Sequence, residues 1–198
     1  MRTFIVTLSL VICFFISFGQ NFQGGPILGF TATQVDGDTY SGYNKAGVII
    51  GGFVNKKFSE KWSSQLEIKY IQKGSKKKPR NNDPTYYKLK LDYFEVPFIV
   101  QYLYKKKITF ETGIAVSYLT KAQEDNDGYG LVDADPPFNK FEISALAGAN
   151  YNITERLIFN LRVSYSMHQI RNHTLRSTMW LRYGQFNNVI SFSIYYYL

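Results

Sequence analysis

Ile190-Ser191-Phe192-Ser193-Ile194-Tyr195-Tyr196-Tyr197-Leu198, at the carboxyl end, decides the reading of the fold. Ile190, Phe192, Ile194, Tyr196 and Leu198 take every second position, so they share one face of a strand. Ser191 and Ser193 take the other face. In water such a strand is an aggregation hazard. Against lipid it is stable, provided it closes a barrel in which no backbone group is left unpaired.

The amino end agrees. Met1-Arg2 is a short basic start, Ile5 to Phe18 is almost wholly apolar, and Ser17-Phe18-Gly19 supplies a small-x-small cleavage pattern. Residues 1–19 are expected to be a secretory signal peptide and 20–198 a single barrel domain. The apolar run is too short to favour an uncleaved membrane anchor. Cys13, the one cysteine, lies within that run and lacks the small preceding residue of a lipoprotein site. The mature chain therefore has neither a disulfide framework nor a thiolate metal site.

Removing residues 1–19 takes away Arg2 and no acid, so the formal charge of +8 falls by one. The 16 Tyr and 16 Phe are many for a soluble domain but fit rings at membrane interfaces. After the signal no apolar run has the length of a membrane helix.

Strand-like segments fall near 26–34, 46–56, 62–73, 86–104, 108–119, 141–151, 156–168 and 188–198. Trp62, Leu66, Ile68 and Tyr70 oppose Gln65, Glu67 and Lys69. Ile108, Phe110, Ile114, Val116 and Tyr118 oppose Thr109, Glu111, Gly113, Ala115 and Ser117. Phe141, Ile143, Ala145, Ala147 and Tyr151 oppose Glu142, Ser144 and Asn150. Leu157, Phe159, Leu161, Val163 and Tyr165 oppose Asn160, Arg162 and Ser164. Small and charged residues share one face, as a narrow lumen requires, and rings stand near the ends of the other. A soluble lipocalin-like barrel would put the apolar face inside.

Joins supply an independent criterion. Those after the second, fourth and sixth segments are short (57–61, 105–107 and 152–155), and the others are long and polar. This alternation fits an all-β, single antiparallel up-and-down transmembrane β-barrel of about eight strands with both termini on the periplasmic side. The fourth segment breaks the pattern. Tyr87, Leu89, Leu91 and Tyr93 share odd positions, whereas Val96, Phe98, Val100 and Tyr102 share even ones. A β-bulge near Phe94-Glu95-Val96 is expected, which would turn Lys88, Lys90 and Asp92 inward with Glu95 and Gln101.

Several residues together resemble the PorT-like outer-membrane β-barrel family of Gram-negative bacteria. They are Gly37-Asp38 with Tyr40-Ser41-Gly42, then Glu67, Tyr70 and Lys73-Gly74, and above all Leu91-Asp92-Tyr93-Phe94-Glu95-Val96-Pro97, which looks like that family's "dYxEvP" strand. Gly113 and Gly148 fall at similar glycine positions. The resemblance covers nearly the whole mature chain and implies a small outer-membrane barrel with no catalytic signature. Some members are associated with secretion or gliding machinery. Leu198 departs from the aromatic last residue common in such barrels.

An eight-strand barrel is about wide enough to be filled by its own side chains. Glu67, Lys69, Glu95, Glu111, Glu142 and Arg162 are expected to form a structural polar network in the lumen, with Arg162 meeting Glu111 or Glu142. A polar ion path is the functional alternative. Ser164, Ser166 and His168 share a face, and a Ser-x-His pair with Glu142 could serve a lipid-modifying hydrolase. Lys76, Lys77, Lys78 and Arg80, with Lys73, make the second loop basic; Arg171, Arg176 and Arg182 do so for the fourth. Such clusters suit lipopolysaccharide phosphates or another acidic surface polymer. Glu124-Asp125-Asn126-Asp127-Gly128 lacks the spacing of a calcium loop.

The expected protein is a monomeric, non-enzymatic barrel with structural or binding work at the cell surface and no cofactor. Its expected partners are outer-membrane lipid and the barrel-assembly machinery, with lipopolysaccharide or envelope-complex subunits as further candidates, and no nucleic acid. The alternatives are an accessory subunit of a secretion or motility complex and the hydrolase.

Overall fold

The computed structural model describes residues 22–79, 83–171 and 184–198, so the expected signal peptide at 1–19 lies outside the described residues. The strands are β1 (Phe22–Asp36), β2 (Lys45–Lys57), β3 (Trp62–Lys77), β4 (Tyr87–Lys105), β5 (Ile108–Asp125), β6 (Val132–Asp133), β7 (Phe141–Asn152), β8 (Leu157–Ser166) and β9 (Phe186–Tyr196). Eight of them form the wall. β6 is a two-residue strand that leans on β5 through Gln123 and Glu124. The wall runs β4-β3-β2-β1-β9-β8-β7-β5, and pairing of β4 with β5 closes it. Every neighbouring pair is antiparallel, so no backbone edge meets lipid.

The terminal strand closes the barrel as its pattern requires. Ile27 faces Tyr195, Gly29 faces Ser193 and Thr31 faces Ser191 across the β1–β9 ladder. Ile194, Tyr196 and Leu198 are exposed, whereas Ser191 and Ser193 are buried. β9 ends at Tyr196, and the Leu198 N–H donates to the Gly24 carbonyl at 3.0 Å.

Outward rings gather at both ends of the apolar band. At the end with the short turns, Trp62 packs on Tyr102 and Tyr104 on Phe110. At the loop end, Tyr70 meets Phe94 and Tyr118 meets Phe141, while half-buried Tyr165 stacks on buried Phe186. Between these girdles, Leu66, Ile68, Val96, Phe98, Ile114 and Val163 stand exposed. Beyond the loop-end girdle, β3, β4 and β5 continue as a tall three-stranded flap.

The expected bulge in β4 does not occur there. Tyr87, Leu89, Leu91, Tyr93, Glu95, Ile99 and Gln101 are all buried, one unbroken inward face. What changes along β4 is the polarity of the lumen, not the phase of the strand. Toward the loops the inside is apolar, with Leu89, Leu91 and Tyr93 packed with Val35, Leu119, Phe138 and Ile170. Lys88 and Lys90 accordingly face outward, as does Asp92, which pairs with Lys90 at 3.1 Å. At this level the irregularity lies in β5, where Asp92 faces Lys121 and Tyr93 faces Leu119, leaving Thr120 as the extra residue; a second shift, at the turn end of β4, leaves Tyr104 as the extra residue. Its hydroxyl donates to the Asp92 carbonyl at 2.9 Å.

Ile114, on the exposed face of β5 midway between the girdles, tests which face meets lipid. Ile114→Lys should destabilise the barrel by about 2–4 kcal/mol, the scale for a cation at the bilayer midplane. Urea unfolding in lipid vesicles measures it, with Thr112→Lys nearer the girdle costing less.

Candidate functional site: a filled lumen and its outer mouth

Alternation alone brings the lumen residues together. Inward positions of β3 deliver Glu67, Lys69 and Lys73, β4 Glu95, β5 Glu111, β7 Glu142 and β8 Arg162, all buried. They form one chain of alternating charge. Arg162 Nε sits 2.7 Å from Glu111 Oε1, and its two terminal nitrogens hold Glu67 at 2.8 and 2.9 Å. Lys69 bridges Glu67 at 3.1 Å and Glu95 at 3.2 Å. Lys73 joins Glu95 at 2.8 Å to Glu142 at 3.1 Å. From Glu111 to the level of Glu142, opposite Ser117, is about 20 Å along β5 at 3.4 Å per residue, which at a tilt of about 45° spans about half of the hydrocarbon thickness.

Four carboxylates against three cations leave a formal charge of −1, and neutral donors offset it. Asn160, Asn150 and Gln101 donate to Glu111. Gln65 and the Tyr195 hydroxyl donate to Glu67. Ser117 donates to Glu95, and Ser166 and Asn187 donate to Glu142. Gly148 leaves room for this: a Cβ there would lie 2.9 Å from Glu111 Oε1 and 2.6 Å from the Leu161 carbonyl.

All six expected network residues meet here, and Arg162 takes Glu111 rather than Glu142. Sequence reasoning missed two members. Lys73 was grouped with the basic second loop, yet it is fully buried and lies 4.9 Å from the Tyr93 ring centre. The odd-numbered series Glu67, Lys69, Ile71, Lys73 carried the signal, because β3 continues past the bilayer to Lys77. Tyr195 was hidden among three consecutive tyrosines. The basic second loop is likewise largely strand: Lys76 and Lys77 end β3, and Lys77 pairs with Asp83 at 2.5 Å and lies over the Tyr40 ring. Lys78 is exposed just beyond. Arg80, Arg176 and Arg182 lie outside the described residues.

The two ends of the lumen differ. At the turn end a cavity of about 300 Å³ opens among Asn55, Gln101, Thr109, Asn150, Asn152 and Tyr197, its charged rim made of Lys57, Lys61 and Lys106 with Glu60 and Glu155. At the loop end the apolar plug is roofed by Phe138 and Ile170 from two loops. Arg171 ties that roof down, pairing with Glu124 at 2.7 Å and lying 4.1 Å from the Phe138 ring centre. The loop after β1 adds Asp38, whose Oδ1 accepts the Tyr40 N–H while its Oδ2 is buried with no partner among the described residues.

The Ser-x-His couple does not form. Ser166 donates directly to Glu142 at 2.8 Å and accepts the Asn187 N–H at 2.9 Å. His168 Nε2 instead lies 3.2 Å from the Phe141 carbonyl.

A closed antiparallel wall with a lipid-facing apolar band and a polar filled interior defines a small transmembrane β-barrel. The chain belongs to the family of the outer membrane protein beta-barrel domain, whose model matches residues 18–172. It is thus an outer-membrane protein of the Gram-negative kind, its short turns on the periplasmic side and its loops outside. In fold it resembles Ail, the attachment invasion locus protein of Yersinia pestis, in complex with the heparin analogue sucrose octasulfate. That match has a TM-score of 0.53 and 11% identity over 89% of this chain and 99% of that one. Ail without that ligand matches at 0.53 and 12% identity over 89% and 98%. Neisserial surface protein A matches at 0.48 and 10% identity over 88% and 95%. No curated protein matches in sequence.

Removing the Arg162 guanidinium strands two buried carboxylates. Arg162→Leu should cost about 3–5 kcal/mol, the usual penalty for breaking a buried ion cluster from one side. Adding Glu67→Gln should recover part of that loss in urea titrations.

Burial pushes the Asp38 carboxyl up to about 6 from 3.8, with Asp36 adding repulsion, while the neighbouring Ser75 hydroxyl and the Tyr40 N–H pull the other way. A raised folded value means stability that is full below pH 4 and lost as pH rises through 6. Between pH 4 and 8 this group should cost on the order of 2 kcal/mol. Asp38→Asn should flatten that part of the pH profile of unfolding.

Proposed function

We propose that the protein is a monomeric, non-conducting and non-enzymatic barrel of the PorT-like kind, a rigid outer-membrane mount for loops that do structural or binding work at the cell surface. The carrying observation is the unbroken charge chain from Glu111 to Glu142, capped outside by the plug of Leu89, Leu91, Phe138 and Ile170. A continuous wide water path would have to break buried pairs that each cost several kcal/mol to separate. Its assembly partner is the barrel-assembly machinery, reading the terminal strand at Tyr196 and Leu198. The bonds of Ser166 to Glu142 and Asn187 give no support to a hydrolase.

A second reading, an accessory subunit of an envelope secretion or motility complex, is favoured by one observation. The periplasmic cavity of about 300 Å³ carries Lys57, Lys61 and Lys106 against Glu60 and Glu155, a net positive rim that suits a polar, mildly acidic segment of a partner.

In planar bilayers the purified protein should give no stable single-channel steps. Steady, reproducible conductance from the wild-type barrel would contradict the filled-lumen function.

A further inference from the structure

We propose that the outer wall of β3, β4 and β5 carries a ledge that binds the phosphate groups of outer-leaflet glycolipids, built from Lys76, Lys88, Lys90 and Lys121. Register fixes its height. Tyr70 faces Phe94, and Phe94 faces Tyr118, at the upper girdle. One outward step above, Gln72 faces Asp92 and Asp92 faces Lys121; the next step pairs Gly74 with Lys90, and the next Lys76 with Lys88. At about 3.3 Å per residue and a 45° tilt, these steps lie about 5 to 14 Å above the girdle, at and just over head-group depth. A lysine stem is long enough to lie along an apolar wall and carry its ammonium group back toward that layer.

Charge points to an anion. Lys76 and Lys88 stand directly opposite each other, an arrangement in which like charges repel. Two acids share this face: Asp92, opposite Lys121, is held by Lys90 at 3.1 Å, and Asp125, opposite Lys88, accepts the Gly128 N–H at 2.7 Å, so that among the described residues Lys76, Lys88 and Lys121 have no carboxylate at ion-pairing distance. The Lys45 ammonium, bonded to the Ala46 carbonyl at 2.7 Å, stands in the field of Lys88, Lys90 and Lys76 as well, with Asp92 opposing them. The fourth lysine is there by construction of the strand. The extra residue Thr120 turns Lys121 out, where an unbroken β5 would have turned it into the lumen. A lipid rather than a soluble polymer fits because the cluster rises from the lipid-facing wall, contiguous with Tyr70 and Phe94, and not from the loop tips. Lys77, bound to Asp83 and Tyr40, takes no part.

The test uses folded full-length protein in uncharged detergent. Binding is titrated with diphosphorylated lipid A, with lipid A stripped of both phosphates, and with free pyrophosphate. Lipid A should bind at least tenfold tighter than its stripped form and than pyrophosphate. Lys76→Gln/Lys88→Gln/Lys121→Gln should lose at least tenfold while keeping the heat-modifiable folded band, and Lys56→Gln/Lys105→Gln/Lys107→Gln at the turn end should bind as wild type. Should the triple variant not fold, Lys88→Gln alone should lose about threefold, as removal of one exposed charge contact worth about 0.6 kcal/mol would. Equal affinity for the two lipids, wild-type affinity in the ledge variants, or pyrophosphate binding as tightly as lipid would overturn the proposal. The ledge lies outside the lumen, so its failure would leave the filled-barrel reading untouched.

Discussion

Arg162 carries five N–H donors and a charge it cannot give up, so the barrel that encloses it must supply acceptors from several strands at once. Glu67 comes from β3, Glu111 from β5 and the Tyr195 hydroxyl from β9, while Arg162 itself stands on β8. These partners lie far apart in sequence and meet only if the sheet closes. The closure that protects backbone groups from lipid and the pairing that neutralises the lumen are therefore satisfied by the same geometry. Lys69 and Lys73 extend the arrangement toward the outside until the polar chain ends under the apolar plug.

The inside-out logic was legible in sequence wherever lipid-facing and lumen-facing residues differ in polarity. The third, fifth, sixth and seventh segments alternate apolar with polar or small residues, and their faces are as read. It failed in β4. Beyond Tyr93 the lumen turns apolar while the wall turns charged, so Leu89 and Leu91 look like lipid-facing residues and Lys88 and Lys90 like lumen ones. Periodicity gives the two faces of a strand but not which face is inside. Where the strand leaves the bilayer, the rule for assigning them reverses. Lys73 was lost for a related reason, since its strand runs well past the membrane to Lys77.

The Asp92-Tyr93-Phe94-Glu95-Val96-Pro97 stretch takes on physical sense in this frame. Asp92 braces Lys90 on the outer wall, Tyr93 lies beside Lys73, and Glu95 holds Lys69 and Lys73 together. Phe94 belongs to the upper girdle and Val96 to the lipid band. A single short run of residues thus spans the head-group boundary, the charge chain and the bilayer face.

The central claim is that the lumen is filled between the periplasmic cavity and the plug. Cys13 is the chain's only cysteine and precedes the barrel, so cysteines placed in the lumen can be read singly. Thr109→Cys and Asn152→Cys line the cavity, and Ser117→Cys and Ser144→Cys sit beside the charge chain. Challenged with a small water-soluble thiol reagent in the folded barrel, the first two should label readily and the last two only after unfolding. Labelling of Ser117→Cys in the folded protein as fast as Thr109→Cys would show a continuous water path and contradict the account.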